Sequence, residues 1–221
     1  MRYYPINLDI RNRRCLVVGG GSVATRKVMT LTDCGAMVTV VSPQITPELR
    51  ELADQKVIVV KQRHYQSSDM NGMFLVIGAT DKKELNWRIY SEAERIGKLC
   101  NIADRPEACN FILPSVVSRG DLTIAISTSG KSPAFAKKLR KELEIQFGEE
   151  YADFLQVMGE IRKKLLMKNH APEEHKPIFE KLIKKGLLEM IREDKKEEIN
   201  RLLSDVLGKG YDFDSLMKNR D

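Results

Sequence analysis

The sequence predicts an α/β fold: a doubly wound parallel sheet, then a hairpin with its own helix, then a purely helical region. Three observations carry this. Short apolar, β-branched runs alternate with helical stretches up to about residue 102. Two strand-like runs joined by Arg119-Gly120-Asp121 then break that alternation. From Glu149 onward only helical spacing remains.

The elements follow in order. Arg14–Val18 reads as a buried strand, and Ser22–Asp33 as a helix closed by Cys34-Gly35. Met37–Val41 is a second strand, ended by Ser42-Pro43. Pro47–Gln55 is a helix with proline near its start. Val57–Val60 and Met73–Ile77 are the third and fourth strands. A helix over 83–96 leads into a fifth strand, Leu99–Ile102. Phe111–Ser118 and Leu122–Ser127 form the hairpin. Ser132 caps a helix that Pro133 opens and that runs to about Phe147. Tyr151, Phe154, Leu155, Met158, Ile161 and Leu165 form one apolar stripe, Ile178, Phe179, Leu182 and Ile183 a second, and Ile199, Leu202, Leu203, Val206 and Leu207 a third. Pro172 and Pro177 are expected to interrupt the helical pattern between the first two. The expected divisions are 1–113, 114–148 and 149–221.

Composition narrows the function. The chain has 221 residues, 42% hydrophobic and 31% charged, which reads as soluble and globular. No apolar run approaches the roughly 20 residues of a membrane span, and Met1–Pro5 lacks a secretory core. The expectation is a cytoplasmic protein with no membrane partner. Five of the six net positive charges lie up to Glu150, with no basic tail, and aromatic residues are only 6%. Nucleic acid is therefore not expected, and an acidic small molecule fits the charge. Cys15, Cys34, Cys100 and Cys109 form no CxxC pair and no zinc spacing with His64, His170 or His175. They read as structural thiols, a metal or redox role for Cys100 and Cys109 being the alternative. His170 and His175 lie in a polar stretch and read as surface residues. No metal site is expected.

The first turn carries the strongest motif. Gly19, Gly20, Gly21, Ser22, Val23 and Ala24 match G-x-G-x-x-G/A between a strand and a helix. Glycine lets backbone approach a pyrophosphate, and the helix start offers unpaired N–H groups and a positive dipole end. This is the Rossmann-type dinucleotide site. Its usual acid at the end of the second strand is replaced by Ser42, followed by Pro43. No arginine follows to take a 2′-phosphate, which leans the reading to NAD. Asp104 follows the fifth strand, at the edge where ligands bind. Two readings stand for it: a carboxylate that accepts a proton, or a turn former before Pro106.

In order, the chain contains Gly19–Lys27, Ala79-Thr80-Asp81, Cys100-Asn101-Ile102-Ala103-Asp104, Phe111–Ser115 and Ser127–Pro133. Together these resemble the precorrin-2 dehydrogenase/sirohydrochlorin ferrochelatase family of sirohaem synthesis, over about Tyr3 to Phe147. The resemblance implies oxidation of precorrin-2 to sirohydrochlorin with NAD, and Asp104 as the catalytic carboxylate. It implies cofactor contacts at Gly19, Gly20, Gly21, Ser22, Val23, Ser42, Pro43, Thr80 and Asp81. It implies substrate contacts at Asn101, Ser129 and Lys131, and a homodimer formed through the hairpin and its helix. The terminal helices would cover the substrate cleft. Some members of the family also insert metal into sirohydrochlorin. Thr128 departs from the serine common in the family. Lys131, Lys137, Lys138, Arg140 and Lys141 either attract a polycarboxylate or form a solvated helix face. Two rival readings remain: a non-enzymatic NAD-binding regulatory module, and an NAD-dependent dehydrogenase of another substrate.

Overall fold

A computed structural model describes residues 3–103, 105–167 and 172–218. The chain folds as two compact units, Met1–Leu113 and Pro114–Asp221.

The first unit is built on β1 (Arg14–Val18), α1 (Ser22–Asp33), β2 (Met37–Val41), α2 (Pro47–Asp54), β3 (Val59–Lys61), β4 (Leu75–Gly78), α3 (Lys83–Arg95) and β5 (Leu99–Ile102). The sheet order is β3-β2-β1-β4-β5, and every pair is parallel. This is the Rossmann-type arrangement, with its switch point where β1 meets β4. β1 and β4 are buried on both faces, so they are continuous apolar runs rather than alternating ones. Cys15, Val17, Val38, Val40 and Leu75 pack on one side with Ala24 and Val28 of α1. Leu16, Val18, Val76 and Cys100 pack on the other with Ile89 and Ala93 of α3. Cys34 and Gly35 end α1 as expected, with Gly35 at φ +74°.

The second unit holds an antiparallel hairpin, β6 (Ser115–Arg119) and β7 (Leu122–Ile126), and α4 (Pro133–Gln146). The Ser132 hydroxyl accepts the N–H of Phe135 at 3.2 Å, so the predicted cap is present. Val117, Ile126 and Ala136 form a small core there. The remaining helices are α5 (Glu150–Met167), α6 (Pro172–Lys184), α7 (Leu187–Arg192), α8 (Lys196–Leu207) and α9 (Phe213–Met217). Their own core centres on Val157, Ile161, Leu182, Leu187, Ile199, Leu203 and Leu216. Among the described residues no helix is long and apolar enough to cross a membrane.

Several expectations need correction. β3 starts two residues later than its apolar run, and β4 likewise. Phe111–Pro114 is not strand: the Asn101 side-chain amide donates to the Phe111 carbonyl at 3.0 Å, and the hairpin begins only at Ser115. A side chain of β5 thus takes the group that a ladder would have used. Pro177 does not break its helix, because α6 runs through it. The hydrogen bond a proline N–H would have made is lost, but Ile178, Phe179 and Leu182 pack against the helical core and hold the turn. His175 is buried at 4% exposure rather than on the surface. It takes the inward position of the stripe that continues through Ile178, Phe179 and Leu182. His170 lies outside the described residues.

Candidate dinucleotide site

A cleft of about 820 Å³ opens in the first unit at the carboxyl ends of the parallel strands. It is lined by all nine residues expected to contact a cofactor: Gly19, Gly20 and Gly21, Ser22 and Val23, Ser42 and Pro43, and Thr80 and Asp81.

The three glycines do different jobs. Gly19 has φ +121°, and a Cβ there would overlap the backbone carbonyl of Ala79. Gly20 has no room either, since a Cβ would strike the carbonyl oxygen of Gln44. Both are required by the protein's own packing. Gly21 is the exception, with no protein atom within 4 Å of an added Cβ. The open space at Gly21 therefore belongs to the cleft.

Gly21 is also the N-cap of α1. The helix carries no side-chain cap and no acid in its first turn. Thr25 is the first residue whose N–H bonds back along the helix, to Gly21 at 2.9 Å. The N–H groups of Ser22, Val23 and Ala24 precede it and have no intrahelical acceptor. Together with the helix dipole they fit an anionic pyrophosphate. The donor set and the open face at Gly21 both fit a dinucleotide.

The segment after β2 is stapled onto this turn. The N–H of Thr46 donates to the Gly20 carbonyl at 3.0 Å, and the hydroxyls of Thr46 and Thr25 bond at 2.8 Å. Ser42 is buried, and its hydroxyl donates to the Gln44 carbonyl at 2.6 Å. Its oxygen keeps lone pairs for a ribose hydroxyl, but its proton is spent on the loop. On the opposite wall, the Thr80 hydroxyl donates to Asn86 Oδ1 at 2.8 Å, and Asn86 Nδ2 donates to the Thr80 carbonyl at 2.9 Å. This pair fixes the turn between β4 and α3 while Asp81 stays exposed.

Sequence reasoning missed the wall formed by His64 and Tyr65, as well as Gln44, Ile45, Thr46, Lys82 and Leu85. The segment after β3 is anchored by Asp69, whose carboxylate is almost wholly enclosed. Arg63 reaches it at 2.7 and 2.8 Å, Lys61 at 3.0 Å, and the N–H of Gln66 at 3.0 Å. The Arg63 guanidinium, then the Gln66 N–H and Lys61, hold the Asp69 carboxyl far below the usual carboxylate range against the effect of burial. Tyr65 donates to Glu92 at 2.6 Å, and burial followed by that carboxylate drives its phenol pKa well up. The signal that could have found His64 is topological: β3 ends in the same row as β1 and β2.

Among the described residues of the first unit, Asn101 is the expected site residue that does not line this cleft. Asp104 lies outside the described residues. Asn101 is buried, and its amide holds Phe111. Ser129 and Lys131 are exposed in the second unit, with Ser129 at φ +52°. Lys138 pairs with Glu142 at 3.6 Å, and Arg140 pairs with Glu144. Cys15 and Cys100 are buried, while Cys34 is exposed. Cys109 Sγ accepts the Ile102 N–H at 3.2 Å and donates to the Arg105 carbonyl at 3.0 Å. Burial pushes the Cys100 thiol up to about 12 and that of Cys15 to about 11.

Comparison with known proteins agrees with a dinucleotide-binding first unit. Residues 6–115 match a family model described as "Putative NAD(P)-binding", and residues 119–146 match one described as "Sirohaem biosynthesis protein central". A siroheme synthase of Nitrosococcus oceani is 36% identical over 96% of this chain and 45% of its own length. One from Methylococcus capsulatus is 32% identical over 92% and 43%. The chain thus spans less than half the length of these curated relatives. The solved structure of SirC, a precorrin-2 dehydrogenase, superposes with a TM-score of 0.72 at 29% identity, covering 82% of this chain and 89% of that one. With its glycine turn, its sheet order and both matched segments in sequence, the chain belongs to the precorrin-2 dehydrogenase/sirohydrochlorin ferrochelatase family of sirohaem synthesis.

Proposed function

We propose that the chain oxidises precorrin-2 to sirohydrochlorin with NAD. The observation that carries this is the cleft at Gly21, where open space meets the uncapped start of α1. Its substrate follows from the likeness to SirC, a precorrin-2 dehydrogenase.

The oxidation removes a hydride and a proton from the tetrapyrrole. A bound nicotinamide supplies the hydride acceptor. The chain's own residues hold that group in place and take the proton. Gly21, Ser22 and Val23 seat the pyrophosphate, Ser42 and Pro43 border the ribose, and Thr80 and Asp81 form the facing wall. Asp104 accepts the proton as a carboxylate. Asn101, Ser129 and Lys131 contact the substrate, with Lys131 offering a cation to its carboxylates. The working form in this proposal is a cytoplasmic homodimer joined through the hairpin and α4, with the terminal helices over the substrate.

Asp104→Ala tests the assignment. Turnover of precorrin-2 falls by at least about a hundredfold, within the range that general-base catalysis supplies, while NAD still binds. Wild-type turnover by this variant would remove Asp104 from the mechanism. NAD binding with no oxidation of precorrin-2 by the wild type would leave the regulatory-module reading in its place.

A further inference from the structure

The adenosine end of the cleft is marked by the end of β2, where Rossmann-type sites place the acid that bonds the ribose and repels a 2′-phosphate. Here that end is formed by Ser42, Pro43 and Gln44 from the segment after β2, and by His64 and Tyr65 from the segment after β3. Among the described residues lining the cleft, the single carboxylate is Asp81, which belongs to the turn after β4. No carboxylate among the described lining residues therefore stands at the β2 end to repel a second phosphate. The Ser42 hydroxyl is turned away to the Gln44 carbonyl.

His64 is held at this end by its backbone. Arg63, locked onto Asp69, also donates to the His64 carbonyl at 2.9 Å. Gln62 Nε2 reaches the Pro43 carbonyl at 3.3 Å, and the Ser42 N–H bonds the Lys61 carbonyl at 3.3 Å. These bonds tie the segment bearing His64 to the segment bearing Ser42. The imidazole itself is exposed, and among the described residues it has no hydrogen-bond or ion-pair partner. It is an unused donor beside the place where the 2′ position of the ribose would lie.

We infer that the cleft accepts a dinucleotide carrying a 2′-phosphate as well as NAD, and that His64 is the residue that meets that phosphate. The inference rests on the cofactor reading given above and deepens it. The opposite specificity would need a carboxylate where Ser42 and His64 now stand.

The test is calorimetric titration of the full chain with NAD and with NADP, for the wild type, His64→Ala and His64→Asp. The wild type binds NADP within about tenfold of NAD, because one charge-assisted hydrogen bond is the scale of the difference. His64→Ala shifts the NADP-to-NAD affinity ratio toward NAD by about fivefold, and His64→Asp shifts it further. His64 is exposed, so both variants fold. A wild type that binds NAD but not NADP overturns the inference. So does a His64→Ala ratio that moves by less than about twofold, a change too small for a charge-assisted hydrogen bond. A wild type that binds neither dinucleotide overturns the cofactor reading itself, and this inference with it.

Discussion

In the first unit the buried polar side chains among the described residues are Thr25, Ser42, Asp69, Asn86 and Asn101. Each holds a loop: Thr25 bonds Thr46, Ser42 bonds Gln44, Asp69 bonds Gln66, Asn86 bonds Thr80 and Asn101 bonds Phe111. In the second unit the buried polar residues among those described are Glu160 and His175, both on helices inside an apolar core. The contrast separates two ways of spending polar burial. The first unit uses it to fix the loops at the carboxyl ends of its strands, where the cleft opens. The second relies on Leu, Ile and Val packed between helices. Damage should therefore read out differently, as lost binding in one unit and lost stability in the other.

The sharpest way to break this contrast is Gly21→Asp. The space at Gly21 is open, so the unit still folds, but a carboxylate now occupies the pyrophosphate's place. NAD affinity falls by more than about a hundredfold while the melting temperature stays near wild type. Titration and thermal melting check both halves. Equal loss of stability and binding would mean that Gly21 is structural like its two neighbours.

Leu203→Ala is the counterpart in the helical unit. Leu203 is fully buried, and its removal costs about 3 kcal/mol of stability. NAD titration of the folded protein is expected to match wild type. A large fall in NAD affinity at a temperature where the variant is folded would contradict the division of labour.

Asp69→Asn sharpens the account of the loops. The folded Asp69 carboxyl lies below its ordinary value of 3.8. Its ionised form therefore contributes stability that is complete above about pH 4 and is lost as pH falls toward the lowered value. The variant loses about 2 kcal/mol at neutral pH, from the charged hydrogen bonds that Arg63 and Lys61 make. The difference from wild type shrinks below pH 4, which denaturant unfolding across pH would show. A constant difference down to pH 2 would assign the loss to packing rather than to charge.

The smallest effect concerns the thiols. Cys34 is exposed, while Cys15 and Cys100 are buried. Cys34 is expected to react first with an alkylating reagent in the folded protein, with little change in melting temperature or NAD affinity. Mass spectrometry of labelled peptides would show the order.

Much of the first unit was legible because its signals are local. β1, α1 and β2 are marked by an apolar run, three glycines and a second β-branched run, and their bounds agree with the structure. What was not legible depends on distant partners. Phe111 sits in an apolar stretch that pattern reads as strand, yet Asn101 claims its carbonyl from ten residues away. His64 and Tyr65 enter the cleft from a segment with no periodicity, placed there by ion pairs to Asp69. His175 looks polar in sequence and is buried because α6 continues through Pro177 and turns it inward. Short α7 and α9 carry too few residues for a periodic signal.

The central claim is tested most directly by mixing the purified chain with precorrin-2 and NAD and following the visible spectrum together with NADH absorbance. The account predicts sirohydrochlorin and NADH appearing in equal amounts, at a rate that Gly21→Asp and Asp104→Ala both suppress. Appearance of sirohydrochlorin no faster than in protein-free controls, from a chain that binds NAD, would contradict it.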